Sequence, residues 1–592
     1  MPQLVSRAAR SERLRDWAAM LITILCCLPP LVLDIANRNP TSMENFAVVS
    51  SRETWERQCR GESSAWLIPS LNGEPRIVKP PLVVWWHMLA WSDFDPATTT
   101  TKDLTERARM IAVAHGLLLL AGVFWLGREI GDRRLGMLAT LVTGSISFFV
   151  RQARTASYDI HLAAWCTIAI ALVVWVIRPS ERASHRRDLF GWCAAGVSLA
   201  LAWMSKGPVA LLLVGLPASL AVLCIADRRR AAVLGLTCSL LIGAAPATIW
   251  HWYLSRHLIG TADRLIRDYA NLLSDRMAPY YYLNLLVLIL PWTLWLVAYL
   301  IVPLLDRRHL RGDWTFLALW LVLVTVLFSI PAYKAQRYMV PVLPAAGLFV
   351  ALAWSRPTHG PDGLSRWMRG IGNLHWFGLG AASLAVVPFV LLQDRMVGAD
   401  WMSEPVVDVR SWSAAIGAGL LFAAIAAVGW YCHRRGAWER AAIATAAWAM
   451  VACTFVQLNG IHTPRPIELA ANEVTSVIGT APLRYLVVGS GDRQPGVEFL
   501  LHARRVVPPI EPRELKAYVA ATAAEFGADS LGSSSVYVMA GQNDAMDQVM
   551  NEAGFSRLFD FDDSRRSKRR LWKAAVREED DWKQAGRTPS CE

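Results

Sequence analysis

The sequence predicts an all-α polytopic membrane protein with about thirteen transmembrane helices, followed by a C-terminal α/β domain. Three observations predict this class. Hydrophobic residues make up 54% of the 592 residues and charged residues only 18%, with a mean hydropathy of +0.30. The apolar residues come in blocks of about 17–25, the length that crosses a bilayer core. After residue 458 these blocks end and a mixed polar and apolar pattern begins.

The apolar blocks place the spans along the chain, with ends defined to within several residues. We place them at 17–35, 106–127, 134–150, 158–178, 188–204, 208–226, 231–253, 281–305, 315–331, 337–355, 375–393, 413–431 and 440–458.

Arginines orient these spans. Arg7, Arg10, Arg13 and Arg15 precede the first span, which we interpret as a signal anchor, so the positive-inside rule predicts a cytoplasmic N-terminus. Every second loop is then basic, as in RPSERASHRR at 178–187. This alternation accounts for the net charge of +12 without a nucleic-acid partner. An odd number of spans places the C-terminus on the opposite, non-cytoplasmic side.

Two large segments then lie outside the membrane on that side. One is the first loop, about 36–105, which we predict to contain amphipathic interfacial helices, and the other is the tail. We therefore divide the chain into a transmembrane domain at 1–458, which includes the loop, and a soluble extracytoplasmic domain at 459–592. In the tail, LRYLVVGS and SSSVYVMA are typical of strands, and ELKAYVAATAAEF and DAMDQVMNEAG of helices.

Cations in the outer loops indicate a binding site, because lysine and arginine are normally sparse there. Charge at a membrane interface is generally functional, and clustered cations suit a phosphate. Two carboxylates, Glu44 and Asp159, lie on the same side. The outer-face cations are Lys79, Arg154, Lys206, Lys334 and Arg337.

Each of these residues also has a structural interpretation. Lys79 could snorkel to the lipid head groups, and Asp159 could cap the helix that begins beside it. Glu44 could lie on the solvated face of an amphipathic helix. Lys206 could belong to a helix-breaking Ser-Lys-Gly-Pro loop. The predicted topology places all of these residues on one face of the membrane. A shared binding site explains that common location, whereas the separate structural interpretations do not.

Four stretches resemble the GT-C superfamily of polyprenyl-phosphate-sugar-dependent transferases, which contains aminoarabinose transferases and protein O-mannosyltransferases. LIPSLNGEPRIVKPPLVVWW resembles the first-loop signature of that family, and ARTASYD, MSKGPVALLL and YKAQRYMVPVLPA resemble three later loops. The resemblance covers most of residues 15–355 and is weak in the tail.

The resemblance implies an inverting glycosyltransferase of the bacterial inner membrane. Such an enzyme moves a sugar from undecaprenyl phosphate, or another polyprenyl phosphate, to a lipid, glycan or protein acceptor. It implies that Glu44 is the base or orients the acceptor and that Asp159 assists. Lys79, Lys206 and Arg337, with Arg154 and Lys334, would contact the lipid phosphate. Tyr338, Tyr281 and Trp292 would line a groove for the prenyl chain.

The chain departs from the family pattern at two positions. The usual Asp-Glu pair of the first loop falls on Met43 and Glu44, so the aspartate is replaced by methionine. Val78 stands where an acidic residue is common in the aminoarabinose enzymes. Because no HExxH or cysteine-rich motif appears, we assign no cofactor and no metal ligand, although a divalent cation stays open.

Two other functions stay open. A transporter or flippase for the lipid-linked sugar would place its charges near the bilayer midplane. A catalytically degenerate family member would use its tail to bind envelope glycan, and the Met43 replacement is the feature that suggests this alternative.

Overall fold

The computed structural model describes residues 2–178, 184–263, 265–266, 277–305, 312–355, 363–396, 412–460, 466–479, 481–487, 495–519, 535–542, 544–564 and 567–575. The chain forms two compact units. The first contains Met1–Arg38, Ile77–Ser92 and Glu106–Ile461. The second contains Asn39–Arg76, Asp93–Thr105 and His462–Glu592, so most of the first loop groups with the tail.

The first unit is a bundle of apolar helices, which confirms the predicted fold class. Within the described ranges, nine helices are long and apolar enough to cross a membrane. They are Thr101–Ile130, Tyr158–Ile177, His185–Lys206, Arg229–His257, Gly312–Ser329, Gln336–Ser355, Arg366–Gln393, Ala415–Arg434 and Trp438–Asn459.

Two further predicted spans are bent pairs of helices. The span predicted at 134–150 is Arg133–Ser145 followed by Ser147–Ala153, with a bend of 75°. The span predicted at 281–305 is Pro279–Leu288 followed by Thr293–Leu304, with a bend of 115°. Pro291 lies in the second break, where its missing N–H prevents a continuous helical hydrogen-bond pattern. Counting each pair as one span gives up to eleven in the described part of the chain.

The two remaining predicted spans account for the difference between these eleven spans and the thirteen predicted. The segment 208–226 is the helix Val209–Ile225, which has 17 residues. The segment 17–35 falls on the end of the helix Pro2–Cys27, whose first half is polar, and on the short helix Pro29–Val32. Leu82–Ala90 is a further short helix of this unit. The multi-pass character of the chain therefore stands, with fewer full-length spans than the hydropathy blocks predict.

The second unit begins with the helix Ser42–Cys59, called here the first-loop helix. Thr41 and Glu44 form a capping box at its start, since each side chain bonds the other residue's backbone N–H. Polar residues such as Arg52 and Glu53 are buried on it, together with apolar Val49 and Trp55. The helix is thus enclosed on several faces, whereas an amphipathic surface helix would expose one face.

A two-stranded hairpin follows in the first loop. Its strands are β1, Ser70–Leu71, and β2, Glu74–Pro75. Asn72 and Gly73 join them with φ of 54° and 79°. Two positive φ angles define a type I′ turn, for which Asn-Gly is the preferred pair. The NGEP letters of the first-loop signature therefore specify this hairpin.

The described strands of the tail are β3 (Leu483–Leu486), β4 (Pro509–Ile510), β5 (Ser535–Gly541), β6 (Ser556–Ser564) and β7 (Ser567–Ala575). They form a five-stranded sheet in the order β4-β3-β5-β7-β6. The parallel strands β3, β4 and β5 come first, and β6 and β7 form an antiparallel hairpin at the edge. The helices in the described part of the tail include Pro466–Ile478, Val497–Ala503 and Asp544–Glu552.

This architecture confirms a small α/β region in the tail. Both predicted strand segments contain a strand, and DAMDQVMNEAG is largely the helix Asp544–Glu552. The run ELKAYVAATAAEF extends beyond residue 519, and its second half lies outside the described residues. The β6–β7 hairpin was not anticipated, because its strands are rich in arginine, lysine and aspartate.

Candidate active site

A cavity of about 210 Å³ in the first unit brings together several of the residues chosen from the sequence. One part of its lining is polar and the other apolar. The lining residues are Lys79, Asp159, Leu162, Lys206, Pro208, Val209, Leu213, Phe328, Pro331, Tyr333, Tyr338 and Pro341.

Asp159 lies at the centre of the polar part. It occupies the first turn of the helix Tyr158–Ile177, where a carboxylate is favoured by the helix dipole. The N-cap residue is Ser157 rather than Asp159. The Asp159 side chain is only 3% exposed, and a buried carboxylate needs compensating partners.

Two cations supply that compensation. The Lys206 ammonium donates to Asp159 Oδ1, and Arg337 Nε lies 3.7 Å from Asp159 Oδ2. Lys206 ends the helix His185–Lys206, where Gly207 follows with φ of 111° and lets the chain turn into Pro208. Arg337 lies in the first turn of the span Gln336–Ser355. The cluster is therefore assembled from the ends of three helices.

Tyr338 completes this polar cluster. Its ring lies 4.5 Å from the Lys206 ammonium and 5.1 Å from the Arg337 guanidinium. Cations at these distances are attracted by the ring's negative face. The two cations are thus held between one carboxylate and one aromatic ring.

The charges around the cavity favour an anion. Lys206 and Arg337 share a single carboxylate, so these three groups carry a net positive charge. Lys79 lines the same cavity and adds another. It precedes Pro80 and Pro81, and Pro81 is the N-cap residue of the helix Leu82–Ala90. The helix Leu82–Ala90 therefore begins directly after the proline pair, three residues after Lys79.

The rest of the lining is apolar. Leu162, Val209 and Leu213 contribute aliphatic side chains, and Phe328 adds an aromatic ring that stacks near Tyr338, with centroids 5.9 Å apart. A cavity with cations on one side and hydrocarbon on the other suits an amphiphile with an anionic head group. Tyr333 and this apolar lining were not singled out from the sequence, although Tyr333 lies in the same quoted loop as Tyr338.

Arg154 and Lys334 donate to backbone carbonyl groups. The Arg154 guanidinium bonds the carbonyls of Pro30, Leu33 and Asp34, at 2.9, 2.6 and 3.1 Å. The Lys334 ammonium donates to the carbonyls of Met277 and Pro331, at 3.2 and 2.7 Å. Both side chains are buried. These bonds give each residue a structural role, and their predicted contact with phosphate stays a prediction.

The two other aromatic residues of the predicted groove lie in the helix bundle. Trp292 is fully buried, and its indole N–H donates to Ser145 Oγ at 3.0 Å. It packs edge-on against Trp354, with centroids 6.3 Å apart. Tyr281 packs against the ring of Tyr282. A role for Trp292 and Tyr281 in binding the prenyl chain stays a prediction.

Glu44 belongs to the second unit, where it is buried at the start of the first-loop helix. Its Oε2 accepts a hydrogen bond from the Thr41 backbone N–H at 2.8 Å. The carboxylate therefore has a capping role in addition to the chemical role predicted for it.

Within the part of the chain that the structure describes, no group of three or more histidine, cysteine, aspartate or glutamate residues could hold a metal ion. The described residues therefore supply no set of three such ligands, and no catalytic step is assigned to a metal.

Comparisons with known proteins identify this architecture. Residues 62–262, about a third of the chain, match the family model described as dolichyl-phosphate-mannose-protein mannosyltransferase. The structure aligns with that of ArnT from Cupriavidus metallidurans bound to undecaprenyl phosphate, with a TM-score of 0.66 at 16% identity. That alignment covers 95% of this chain and 98% of ArnT. The chain has the GT-C fold. The resemblance drawn from the motifs is thereby confirmed for the fold.

Two further comparisons find similar proteins. The apo structure of the same ArnT aligns with a TM-score of 0.62 at 17% identity, over 96% of this chain and 98% of that one. An uncharacterized protein from Aquifex aeolicus (strain VF5) is 23% identical over an alignment of 339 residues that covers 55% of this chain. The match spans 63% of the length of the Aquifex protein.

Proposed function

We propose that this GT-C protein is an inverting glycosyltransferase that uses a polyprenyl-phosphate sugar as donor. The observation that carries the proposal is the cavity lined by Lys79, Lys206 and Asp159 beside an apolar wall, with Arg337 paired to the same Asp159 carboxylate. The cations suit the phosphate and the wall suits the first isoprene units. The ArnT structure with undecaprenyl phosphate supports the same class of carrier here.

The reaction follows from these groups. The acceptor hydroxyl oxygen attacks the anomeric carbon and forms a new C–O bond, while the bond from that carbon to the phosphate oxygen breaks on the opposite face. Polyprenyl phosphate leaves with increased negative charge. Lys79, Lys206 and Arg337 stabilise that charge as it develops, and this interaction is stronger in the transition state than in the ground state.

In this proposal Glu44 removes the proton from the attacking hydroxyl or orients it. A positioned general base is typically worth about 10²–10⁴-fold in rate. Asp159 assists by holding Lys206 and Arg337 in place, since both already contact its carboxylate.

The proposed location is the outer face of a bacterial inner membrane, with a cytoplasmic N-terminus and an extracytoplasmic tail. The arginine pattern supports this orientation. Nucleotide sugars are cytosolic, so an enzyme on the outer face needs a sugar already attached to a lipid carrier. The acceptor is a lipid, glycan or protein of the envelope.

The test is release of polyprenyl phosphate from a pool of extracted polyprenyl-phosphate sugars, measured by mass spectrometry in membranes that contain the expressed protein and supply envelope acceptors. We compare the wild type with Glu44→Gln and Glu44→Ala. Glutamine at this position can still accept from the Thr41 N–H, so Glu44→Gln keeps the cap while it removes the base. Alanine removes the base and the Glu44 half of the capping box, and its thermal stability reports the cost of losing that bond, up to about 1 kcal/mol.

We expect release by the wild type and a loss of about 10²–10⁴-fold in Glu44→Gln at unchanged thermal stability. Full release by Glu44→Gln would exclude Glu44 as the base. An absence of release from every donor, with folded protein, would contradict the proposal and favour the transporter or glycan-binding alternatives. Transport of the intact lipid-linked sugar across the membrane of proteoliposomes would then distinguish the transporter from the glycan-binding protein.

A further inference from the structure

The first loop and the tail are joined within the second unit by hydrogen bonds that converge on residues 497–507. Arg52 and Asn72 donate from the first loop to this segment. Thr101 Oγ1 donates to the Leu501 carbonyl at 3.3 Å, and Arg504 donates from the segment to the Pro96 carbonyl at 3.1 Å. We call these contacts the loop–tail clamp.

Asn72 makes the most specific of these contacts. Its Nδ2 donates to the Val507 carbonyl at 2.9 Å, and its Oδ1 accepts from the Val507 N–H at 2.7 Å. The side-chain amide therefore pairs with one residue's backbone as a neighbouring strand would. Asn72 has φ of 54° and is 4% exposed. Asparagine is among the few non-glycine residues that tolerate this conformation.

Glu53 ties the same turn to the first-loop helix. Its two carboxylate oxygens accept the backbone N–H groups of Asn72 and Gly73, at 2.8 and 3.1 Å. Glu53 is 2% exposed, so these amides provide part of the compensation that its burial requires. The helix, the turn and Val507 thus form one continuous hydrogen-bonded path.

Arg52 adds a second path from the helix to the tail. One terminal nitrogen lies 3.3 Å from the carbonyl oxygens of both Leu500 and Leu501, in the last turn of the helix Val497–Ala503. These carbonyls lie at the C-terminal end of the helix, where a cation is favoured, and the Leu500 carbonyl also accepts the backbone N–H of the C-cap residue. Burial lowers the pKa of Arg52, and the carboxylate of Glu56, 3.5 Å away, opposes that shift.

We infer that Asn72, with Glu53 and Arg52, positions the first-loop helix, so that the tail sets the location of Glu44. Glu44 lies nine residues before Glu53 on the same helix, about 13 Å along its axis. A rigid helix held at Arg52 and Glu53 carries its first turn with it. The inference rests on the proposed function of Glu44 and assigns the tail a part in the catalytic step.

The experiment replaces Asn72 without straining the turn. Asn72→Gly keeps the left-handed conformation and removes both bonds to Val507, whereas Asn72→Asp keeps an acceptor for the Val507 N–H and loses the donor. Asn551→Gly, at an exposed asparagine of the same unit, is the matched control. The readouts are kcat, the Kd for undecaprenyl phosphate, thermal unfolding, and hydrogen exchange of residues 42–59.

We expect Asn72→Gly to lower kcat by about 10- to 100-fold, because a misplacement of about 1 Å has effects of this size. The Kd for undecaprenyl phosphate should stay within about twofold of the wild type, and hydrogen exchange in the first-loop helix should rise. Asn72→Asp should not restore kcat, because its second carboxylate oxygen would face the Val507 carbonyl oxygen in a buried site. Asn551→Gly should match the wild type in kcat and in the exchange of residues 42–59.

Three results would overturn the inference. One is an unchanged kcat in Asn72→Gly. Another is unchanged exchange of residues 42–59, which would show that the clamp does not hold the helix. The third is an equal loss of kcat and undecaprenyl phosphate binding together with lower thermal stability, which would mark a general structural role. A wild type that releases no polyprenyl phosphate would instead overturn the proposed function, and the exchange result would still decide whether the clamp holds the helix.

Discussion

Asp159 and Lys206 form a buried ion pair although 47 residues separate them in sequence. Each lies at the end of a membrane-spanning helix, Asp159 at a start and Lys206 at a finish. Arg337 approaches the second carboxylate oxygen of Asp159. A single carboxylate therefore holds two cations beside the cavity, and the predictions below begin from this arrangement.

Replacing Asp159 should destabilise the protein and impair transfer. Asp159→Asn leaves Lys206 and Arg337, whose side chains are 10% and 22% exposed, without their shared carboxylate. Breaking a fully buried pair from one side costs about 3–5 kcal/mol, and the partial exposure of Arg337 reduces that cost. We expect a lower thermal transition in detergent and at least about a tenfold loss of kcat. The double variant Asp159→Asn/Lys206→Met should be more stable than the single variant, because it removes one stranded charge. Equal stability of the wild type and Asp159→Asn would show that the pair contributes nothing.

Lys79 should contribute to phosphate binding rather than to folding. Lys79→Gln removes one cavity cation, and a charge-assisted hydrogen bond contributes about 1.5–3 kcal/mol, so we expect binding of undecaprenyl phosphate to weaken at least about tenfold. Lys79→Arg should retain most of the affinity. Lys516→Gln, at an exposed lysine of the tail, is the control for loss of charge. Wild-type affinity in Lys79→Gln would indicate that Lys79 only snorkels to the head groups.

The apolar wall should discriminate lipid-linked phosphate from free phosphate. Val209→Phe places a larger side chain in the cavity, where it would take the space of lipid CH₂ groups. Each buried CH₂ group contributes about 0.8 kcal/mol, so we expect undecaprenyl phosphate binding to weaken about tenfold. Inhibition by inorganic phosphate should not change. Leu223→Phe, at a position of the same helix that is 60% exposed, is the matched control. An equal effect on both phosphates would mean that Val209→Phe distorts the polar cluster instead.

Arg154 provides a test between two roles. Arg154→Met removes the donor that binds the carbonyls of Pro30, Leu33 and Asp34. Each buried carbonyl left unsatisfied costs about 1–3 kcal/mol, so we expect a clearly lower thermal stability. Undecaprenyl phosphate affinity of the folded protein should match the wild type. Weaker binding at unchanged stability would place Arg154 in the phosphate site, as the sequence predicts.

The sequence alone was sufficient for the membrane class and the approximate positions of the spans. Hydropathy is a local property, and a segment must be apolar over its whole length to cross a bilayer, so the pattern can be read without knowledge of contacts. The helices Tyr158–Ile177 and His185–Lys206 match their predicted spans within a few residues. The bends after Ser145 and Leu288 were missed, because two short apolar helices have the same hydropathy as one long helix.

Tertiary structure decided which cations meet. Lys206 and Arg337 contact Asp159, whereas Arg154 and Lys334 contact backbone carbonyls. All four occupy comparable outer-loop positions in the sequence, and only long-range packing distinguishes their partners. The same holds for Asn72, whose signature motif predicts a turn by local chemistry but whose partner, Val507, is 435 residues away. Local preference therefore determined the elements of this protein, and packing between distant segments determined which side chains share the cavity.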